Sequence, residues 1–158
     1  MSDAPENHHI FTPLPGQIFR DATAAIIVLD DGRYLMQLRD DKPGIFYPDH
    51  WGFFGGAIES GETAEEGLMR ELEEEIGYRP PDCNYFTRMD FFTADIGGRD
   101  VKRLYYTVPL PVSILPDLTL GEGRRMEPLT AAEIVLEKRV APYDSFVVWM
   151  HQTMNKPL

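Results

Sequence analysis

The chain has 158 residues, of which 43% are hydrophobic and 26% are charged, so it is long enough for one globular domain with its own core but short for two. Its net charge of −11 and the lack of any basic run argue against binding of a nucleic-acid polymer through the phosphate backbone. The sequence contains a single cysteine, no N-terminal apolar signal region and no apolar run long enough to cross a bilayer, which predicts a cytoplasmic protein without disulfides or membrane contact.

The first 17 residues are polar and contain three prolines, which predicts a loose N-terminal arm over residues 1–17 and a single domain over residues 18–158. His8 and His9 are adjacent in this arm. They could bind a metal, but we favour the interpretation that they have no fixed partners, because nothing near them in the sequence completes a metal-ligand set.

The first predicted elements are a β-hairpin and a long loop. Residues 21–29 form a β-branched, near-continuous apolar run, which predicts a strand buried on both faces. The turn at residues 30–32 and the alternating pattern of residues 33–39 predict its hairpin partner. Residues 40–50 are rich in proline and glycine and predict a loop beside the site, and loops in such a place often select the substrate.

Three residues in or next to this loop are candidates for substrate binding: Arg39, Phe46 and Tyr47. The two aromatic residues either stack on a base or only cover the core, because aromatic side chains serve packing as readily as recognition. Both interpretations stay open at this point.

Residues 51–54 predict a short strand that leads into Gly55 and Gly56. Glycine lets the backbone approach a metal or a phosphate closely and adopt a positive φ. This turn runs directly into a helix that is crowded with carboxylates.

The helix is predicted over Ala64–Ile76 from local signals. Thr63 and Glu66 have the spacing of a capping box, and Gly77 supplies the left-handed stop that helix C-termini favour. The apolar residues of the helix recur at intervals of four and predict packing against a sheet; they are Ala64, Leu68, Leu72 and Ile76.

Three carboxylates, Glu71, Glu74 and Glu75, crowd one face of this helix. Like charges at these spacings destabilise an isolated helix by roughly 0.2–0.5 kcal/mol per pair, so a helix built only for stability would avoid them. One interpretation is a solvated acidic face. The other is a set of hard oxygen ligands of the kind that Mg²⁺ or Mn²⁺ prefers.

After the helix, residues 85–92 and Val101–Leu110 predict a second hairpin with a glycine turn, and residues 109–116 predict a connector. Cys83 precedes this hairpin and is predicted to be inert rather than nucleophilic, because no histidine stands near it in the sequence.

Two short helices are predicted near the C-terminus. The first begins at Thr130 and Glu133, which repeat the capping-box spacing. The second is amphipathic and is predicted to be capped by Asp144 or Ser145.

The complete spacing around the acidic helix decides between the two interpretations of its carboxylates. The pattern runs Gly56, five residues, Glu62, seven residues, Arg70-Glu71, Leu72, one residue, Glu74-Glu75, one residue, Gly77 and Tyr78. It resembles the signature of the Nudix (MutT-like) hydrolase family, with one departure at Tyr78, where the family usually has an aliphatic residue. The signature covers a small part of the chain, so it indicates the reaction class much better than the substrate.

The resemblance implies an α/β (α+β) fold, namely a Nudix-type α/β/α sandwich with a mixed central β-sheet flanked by helices. It implies metal-dependent hydrolysis of a diphosphate bond in a nucleoside diphosphate linked to another moiety, as in a nucleoside triphosphate or a nucleotide sugar. The implied cofactor is Mg²⁺, with Mn²⁺ as a substitute, and the implied partner is a small phosphorylated nucleotide; a homodimer is possible. A non-catalytic nucleotide-sensing domain and a prenyl-diphosphate isomerase are the alternatives, and Cys83 is a poor candidate for the cysteine that the isomerase needs.

The resemblance also implies the site residues. The Gly56 carbonyl and the side chains of the helix carboxylates would bind the metal, joined by Glu122 from a late loop; Glu122 is otherwise a plain turn residue. The general base would be Glu74, Glu75 or Glu122. Arg70 would orient a glutamate, and Glu62 would stabilise the turn. Apart from the resemblance, Arg124 and Arg125 are candidates to hold a phosphate, because arginine binds phosphate through paired N–H donors.

Overall fold

The computed structural model describes residues 20–154. The predicted N-terminal arm, with His8 and His9, lies outside the described residues. The main elements follow in chain order: β1 Arg20–Leu29, β2 Tyr34–Leu38, β3 Trp51–Gly52, α1 Ala64–Ile76, β4 Asn84–Phe91, β5 Val101–Leu110, β6 Arg125–Leu129 and α2 Pro142–Met154. Short 3-10 helices at Ala94–Ile96 and Val112–Asp117 and a π-helical turn at Glu133–Glu137 join them.

The sheet is organised around β1. This strand pairs in parallel with β5 along its whole length, from Arg20 opposite Val101 to Leu29 opposite Leu110. The other pairings are antiparallel: β1 with β2, β4 with β5, and both β3 and β6 with β2. One parallel pairing among antiparallel ones makes the sheet mixed, as predicted.

The sheet lies between two layers of helix, because β1 buries alternate residues on opposite faces. Ala24 and Ile26 belong to the cluster that contains Val147 of α2, whereas Ala25 and Ile27 belong to the cluster that contains Leu72 of α1. The prediction of a strand buried on both faces is therefore confirmed, and the fold is an α/β/α sandwich. No helix between residues 20 and 154 is long and apolar enough to span a membrane.

The predicted bounds of α1 are confirmed because its ends are fixed by local chemistry. Thr63 Oγ1 accepts a hydrogen bond from the Glu66 backbone N–H at 3.2 Å, and the Glu66 carboxylate accepts one from the Thr63 N–H at 2.8 Å. Gly77 ends the helix with φ 67°, in the left-handed region. The apolar stripe is buried as predicted, with Leu68, Leu72 and Ile76 fully covered.

Thr63→Ala is expected to lower the free energy of unfolding by about 1 kcal/mol, because it leaves the Glu66 N–H without its capping acceptor. Urea unfolding monitored by circular dichroism measures the change. Thr153→Ala is the matched control, since Thr153 is exposed in the last turn of α2. An equal loss in both variants would contradict the capping role.

The structure contains one strand that the sequence did not predict, and one predicted helix begins at a different residue. The segment after residue 123 forms β6, although Pro128 lies within it; β6 pairs with β2 and has no second neighbour among the described strands, and an edge strand tolerates proline. Helix α2 begins earlier than predicted, with Pro142 at its first position, so the predicted cap at Asp144 or Ser145 is wrong. Asp144 is instead fully buried.

Candidate active site

A cavity of about 440 Å³ lies where β1, the segment after β3, α1 and the loop before β6 meet. Its lining includes Gly55 and Gly56 together with Glu71, Glu75 and Glu122. The glycine turn and three of the predicted carboxylates therefore face one space.

The two glycines bring the main chain close to β1 and α1. The Gly56 carbonyl accepts a hydrogen bond from the Thr23 N–H at 2.8 Å, which ties this turn to β1. A Cβ at Gly55, where φ is 128°, would lie 2.3 Å from the Thr23 carbonyl oxygen. A Cβ at Gly56 would lie 2.5 Å from the Glu71 carboxylate. Only glycine leaves room for that carboxylate against the backbone.

Glu75 is the most buried carboxylate of the cavity, with 5% of its surface exposed. It accepts hydrogen bonds from the Gly55 N–H at 2.7 Å and from the Gln37 amide at 3.4 Å. Burial raises the pKa of Glu75 to about 7; the two hydrogen bonds oppose this shift, and the negative charges of Glu71 and Glu122 add to it. A carboxylate with a pKa near neutrality suits a general base.

The raised pKa of Glu75 predicts a pH-dependent stability of the metal-free protein. The ordinary pKa of a glutamate is 4.5. The neutral Glu75 carboxyl group therefore makes its full contribution to the stability of the folded protein below about pH 4.5, and this contribution is lost as the pH rises towards about 7. The side chain of the Glu75→Gln variant cannot ionise. The difference in unfolding free energy between this variant and wild type should therefore increase by about 2–3 kcal/mol, in favour of the variant, from about pH 5 to about pH 8. Urea unfolding in EDTA measures this difference. Glu73→Gln, at an exposed position, is the control, and parallel wild-type and Glu75→Gln profiles would contradict the pKa.

Arg70 holds the turn and the helix together. Its guanidinium bonds to Glu62 at 2.7 Å, to Glu71 at 2.8 Å and to the Ala57 carbonyl at 3.0 Å. The hydrogen bonds to Glu62 and then to Glu71 raise the pKa of Arg70, and the same contact with Arg70 lowers the pKa of Glu62. Arg70 is thus placed to fix Glu71 rather than to contact a substrate.

The other two predicted carboxylates occupy different positions. The Glu74 side chain is 60% exposed, lies 3.6 Å from Arg70 and is not part of the cavity lining. Glu122 lines the cavity because its loop docks on the end of α1, where the Gly121 N–H donates to the Glu75 carbonyl at 2.8 Å.

The donor set fits a hard divalent cation by its chemistry, since it consists of carboxylate and carbonyl oxygens beside a glycine that leaves space for them. The Gly56 carbonyl, already bonded to Thr23, has a second lone pair. Within residues 20–154 no three acidic, histidine or cysteine side chains are grouped closely enough to hold a metal as they stand.

The candidate substrate-binding residues separate into two groups. Arg39 lines the cavity, and Phe46 lines a second cavity of about 510 Å³ beside it. Tyr47 lines neither of these two cavities; it packs on Phe46, with ring centroids 4.4 Å apart. Arg124 is held by an ion pair with Asp49 and also lines neither, so the structure gives no support to its predicted contact with a phosphate.

Sequence reasoning missed Arg103, Arg99 and Gln37, which line the first cavity, and the partner of Arg103 in the core. The Arg103 side chain is 12% exposed and lies 3.6 Å from the Asp144 carboxylate. Burial has the largest effect and lowers the pKa of Arg103, but Asp144 together with Tyr105 and Tyr143 outweighs it, so the pKa of Arg103 is raised. Burial raises the pKa of Asp144, and Arg103 opposes that shift. Nothing in the sequence connects the two residues, because Arg103 lies in β5 and Asp144 in α2, about 40 positions apart.

Gly56→Ala is expected to abolish most function at this site, because the added Cβ would overlap the Glu71 carboxylate and displace it. We expect at least a tenfold loss of turnover, on the order of the effect of removing a group that orients a ligand. Gly32→Ala is the control: it also loses stability, since φ is 84° there, but no atom lies within 4 Å of its added Cβ. Equal specific activities of the two folded variants would contradict the prediction.

Comparison with known proteins gives a consistent result. A model of the NUDIX domain matches residues 19–150. The nucleoside triphosphatase NudI of Escherichia coli O139:H28 is 45% identical over 51 residues, which are 32% of this chain and 36% of that protein, and NudI of Shigella flexneri matches equally. The match thus spans about a third of the length of these curated relatives.

Solved structures share the fold. The MutT protein from Methanosarcina mazei Go1 superposes with a TM-score of 0.76 at 18% identity, covering 90% of this chain and 99% of that one. The NUDIX domain of Shewanella oneidensis NrtR, complexed with ADP ribose, gives a TM-score of 0.72 at 16% identity, covering 89% and 90% of the two chains. At these identities the likeness concerns the fold alone.

Proposed function

Because this chain belongs to the Nudix family, whose domain model matches it from residue 19 to residue 150, we propose that it hydrolyses a diphosphate bond in a nucleoside diphosphate derivative with the help of Mg²⁺ or Mn²⁺. The observation that carries the proposal is the single cavity in which Glu71, Glu75 and Glu122 meet the Gly55–Gly56 turn. Such a reaction needs a positioned water and neutralised phosphate oxygens.

The metal would be held by the Gly56 carbonyl and by carboxylates of Glu71, Glu74, Glu75 and Glu122. When bound, a divalent cation neutralises phosphate charge and increases the acidity of water. Glu75 accepts the proton of the attacking water, since its carboxylate lines the cavity beside those of Glu71 and Glu122. Glu122 is the second candidate for this base. Arg70 keeps the Glu71 carboxylate in place, and Glu62 anchors Arg70.

The substrate is a nucleoside triphosphate or a nucleotide sugar, and the name of the NudI relatives favours the first class. Arg39, at the edge of both cavities, contacts the phosphates, and Phe46 stacks on the base. The isomerase alternative has no support from Cys83. This residue packs against the hydrophobic cluster that contains Leu72 of α1, and it lines neither of the two cavities described above. Burial raises the pKa of that thiol, which makes it a weaker nucleophile at neutral pH.

The test is a panel of nucleoside triphosphates and nucleotide sugars incubated with the protein in Mg²⁺ or in EDTA, with products separated by anion exchange. We expect a nucleoside monophosphate and pyrophosphate, or the corresponding sugar phosphate, in Mg²⁺ only. Binding without any product in Mg²⁺ would overturn the proposal in favour of a sensing domain. Equal product release in EDTA would overturn the metal dependence.

A further inference from the structure

The second cavity, here called the distal chamber, continues from the first. It is defined by Arg39, Phe46, Phe91, Arg99, Arg103 and Tyr143. Three of these residues also line the first cavity, namely Arg39, Arg99 and Arg103. Glu122 lines both cavities as well. A ligand whose phosphates lie at the carboxylates can therefore extend into the distal chamber.

The chamber has aromatic walls suited to a flat ring. The rings of Phe46 and Tyr143 are nearly parallel, with an interplanar angle of 13° and centroids 6.5 Å apart. Phe91 completes the wall, with its centroid 5.4 Å from that of Tyr143. Aromatic side chains of this kind stack on nucleobases of any identity, so they give affinity rather than selectivity.

Three of the four charged side chains that line the chamber are arginines. Arginine carries five N–H donors and no acceptor. Among residues 20–154, no carboxylate forms an ion pair with the guanidinium of Arg39 or Arg99. The Arg103 guanidinium faces Asp144 and also lies over the rings of Tyr105 and Tyr143, 5.3 and 5.1 Å from their centroids. Of the described residues that line the chamber, one is acidic, Glu122. This positive lining stands out in a chain of net charge −11.

Asp144 holds Arg103 in place. One oxygen of Asp144 accepts a hydrogen bond from the Phe53 N–H at 3.0 Å, and the other lies 3.6 Å from the Arg103 guanidinium. A protein with apolar residues in place of a buried ion pair is often as stable as the protein with the pair, or more stable. Stability alone is therefore a weak explanation for the presence of this pair. Its geometry suits a second purpose, which is to direct a guanidinium with few rotamers at a ligand.

From these contacts we propose that the distal chamber binds the base of the nucleotide and selects guanine, whose edge presents two adjacent acceptors, over adenine. Arg99 and Arg103 are the specificity-determining residues, because a guanidinium fork matches paired acceptors such as O6 and N7 of guanine, whereas adenine places an amino donor at that edge. The inference rests on the proposed function for the orientation of the nucleotide.

The test is isothermal titration of GMP, UMP, AMP and ribose 5-phosphate into the protein in EDTA, so that neither metal nor turnover is needed. We expect GMP to bind at least about tenfold more tightly than AMP or UMP, in line with the discrimination of a bidentate arginine contact. Equal affinity for GMP and AMP would overturn the proposal. Ribose 5-phosphate binding as tightly as GMP would also overturn it, since the arginines would then hold only a phosphate.

Two variants separate base selection from folding. Arg103→Lys keeps a positive charge beside Asp144 but lacks the fork, and Arg99→Gln changes an exposed residue. Both should bring the GMP to AMP ratio close to one, whereas the control Arg79→Gln, at an exposed pair with Glu73, should keep it. An unchanged ratio in both chamber variants would overturn the assignment. Hydrolysis without base discrimination would refute this inference alone, and base discrimination without hydrolysis would refute the proposed function alone.

Discussion

Glu75→Gln is expected to lower turnover of the best panel substrate by about 10²–10⁴-fold while the protein stays folded, which is the usual contribution of a general base. The substitution keeps the size of the side chain and one acceptor for the Gly55 N–H, but removes the proton-accepting oxygen in the cavity. Initial rates at saturating substrate and Mg²⁺ measure the effect, and circular dichroism confirms the fold.

The matched control for this variant is Glu73→Gln on the same helix. Glu73 is exposed, pairs with Arg79 at 3.5 Å and is not part of either cavity lining. Its turnover should equal that of wild type. A Glu75→Gln enzyme with wild-type turnover would remove Glu75 from the chemistry and leave Glu122 as the base.

Asp144→Ala is expected to lower the free energy of unfolding by about 3–5 kcal/mol, because it leaves the buried charge of Arg103 without its partner. It also removes the acceptor of the buried Phe53 N–H, in the segment that directly follows β3. Urea unfolding measures the loss, and Asp144→Asn should lose less, since its amide oxygen can still accept that hydrogen bond.

A surface ion pair provides the comparison. Glu127→Ala breaks the exposed contact between Arg125 and Glu127, which is 3.3 Å long, and should change stability by about 1 kcal/mol at most. If Asp144→Ala destabilised the protein no more than Glu127→Ala, the buried pair would be structurally dispensable.

Local chemistry explains which parts of the fold were predictable. The ends of α1 depend on Thr63, Glu66 and Gly77, which are neighbours in sequence, and the predicted bounds are confirmed to the residue. The hairpin of β1 and β2 depends on a turn around Gly32, where φ is 84°. Capping and turn signals act over a few residues, so a single sequence displays them in full.

Long-range contacts explain what could not be predicted. Helical spacing places Glu74 and Glu75 side by side, but only packing against Gln37 and Gly55 buries Glu75, and Glu74 stays 60% exposed. Arg124 follows a glycine turn and was a candidate for phosphate binding, yet it forms an ion pair with Asp49, which lies in a loop far away in sequence. Such partners lie far apart in sequence, and no periodicity or turn signal connects them.

The proposed hydrolysis depends on a divalent cation bound by the cavity carboxylates. Calorimetric titration of Mn²⁺ into metal-free wild type, Glu75→Gln and Glu73→Gln tests this binding most directly. We expect wild type and Glu73→Gln to bind Mn²⁺ with equal affinity and Glu75→Gln to bind it at least about tenfold more weakly, since the loss of a group in or around a metal site typically has an effect of this order. Equal Mn²⁺ affinity in all three proteins, or no binding by wild type, would contradict the proposed metal site.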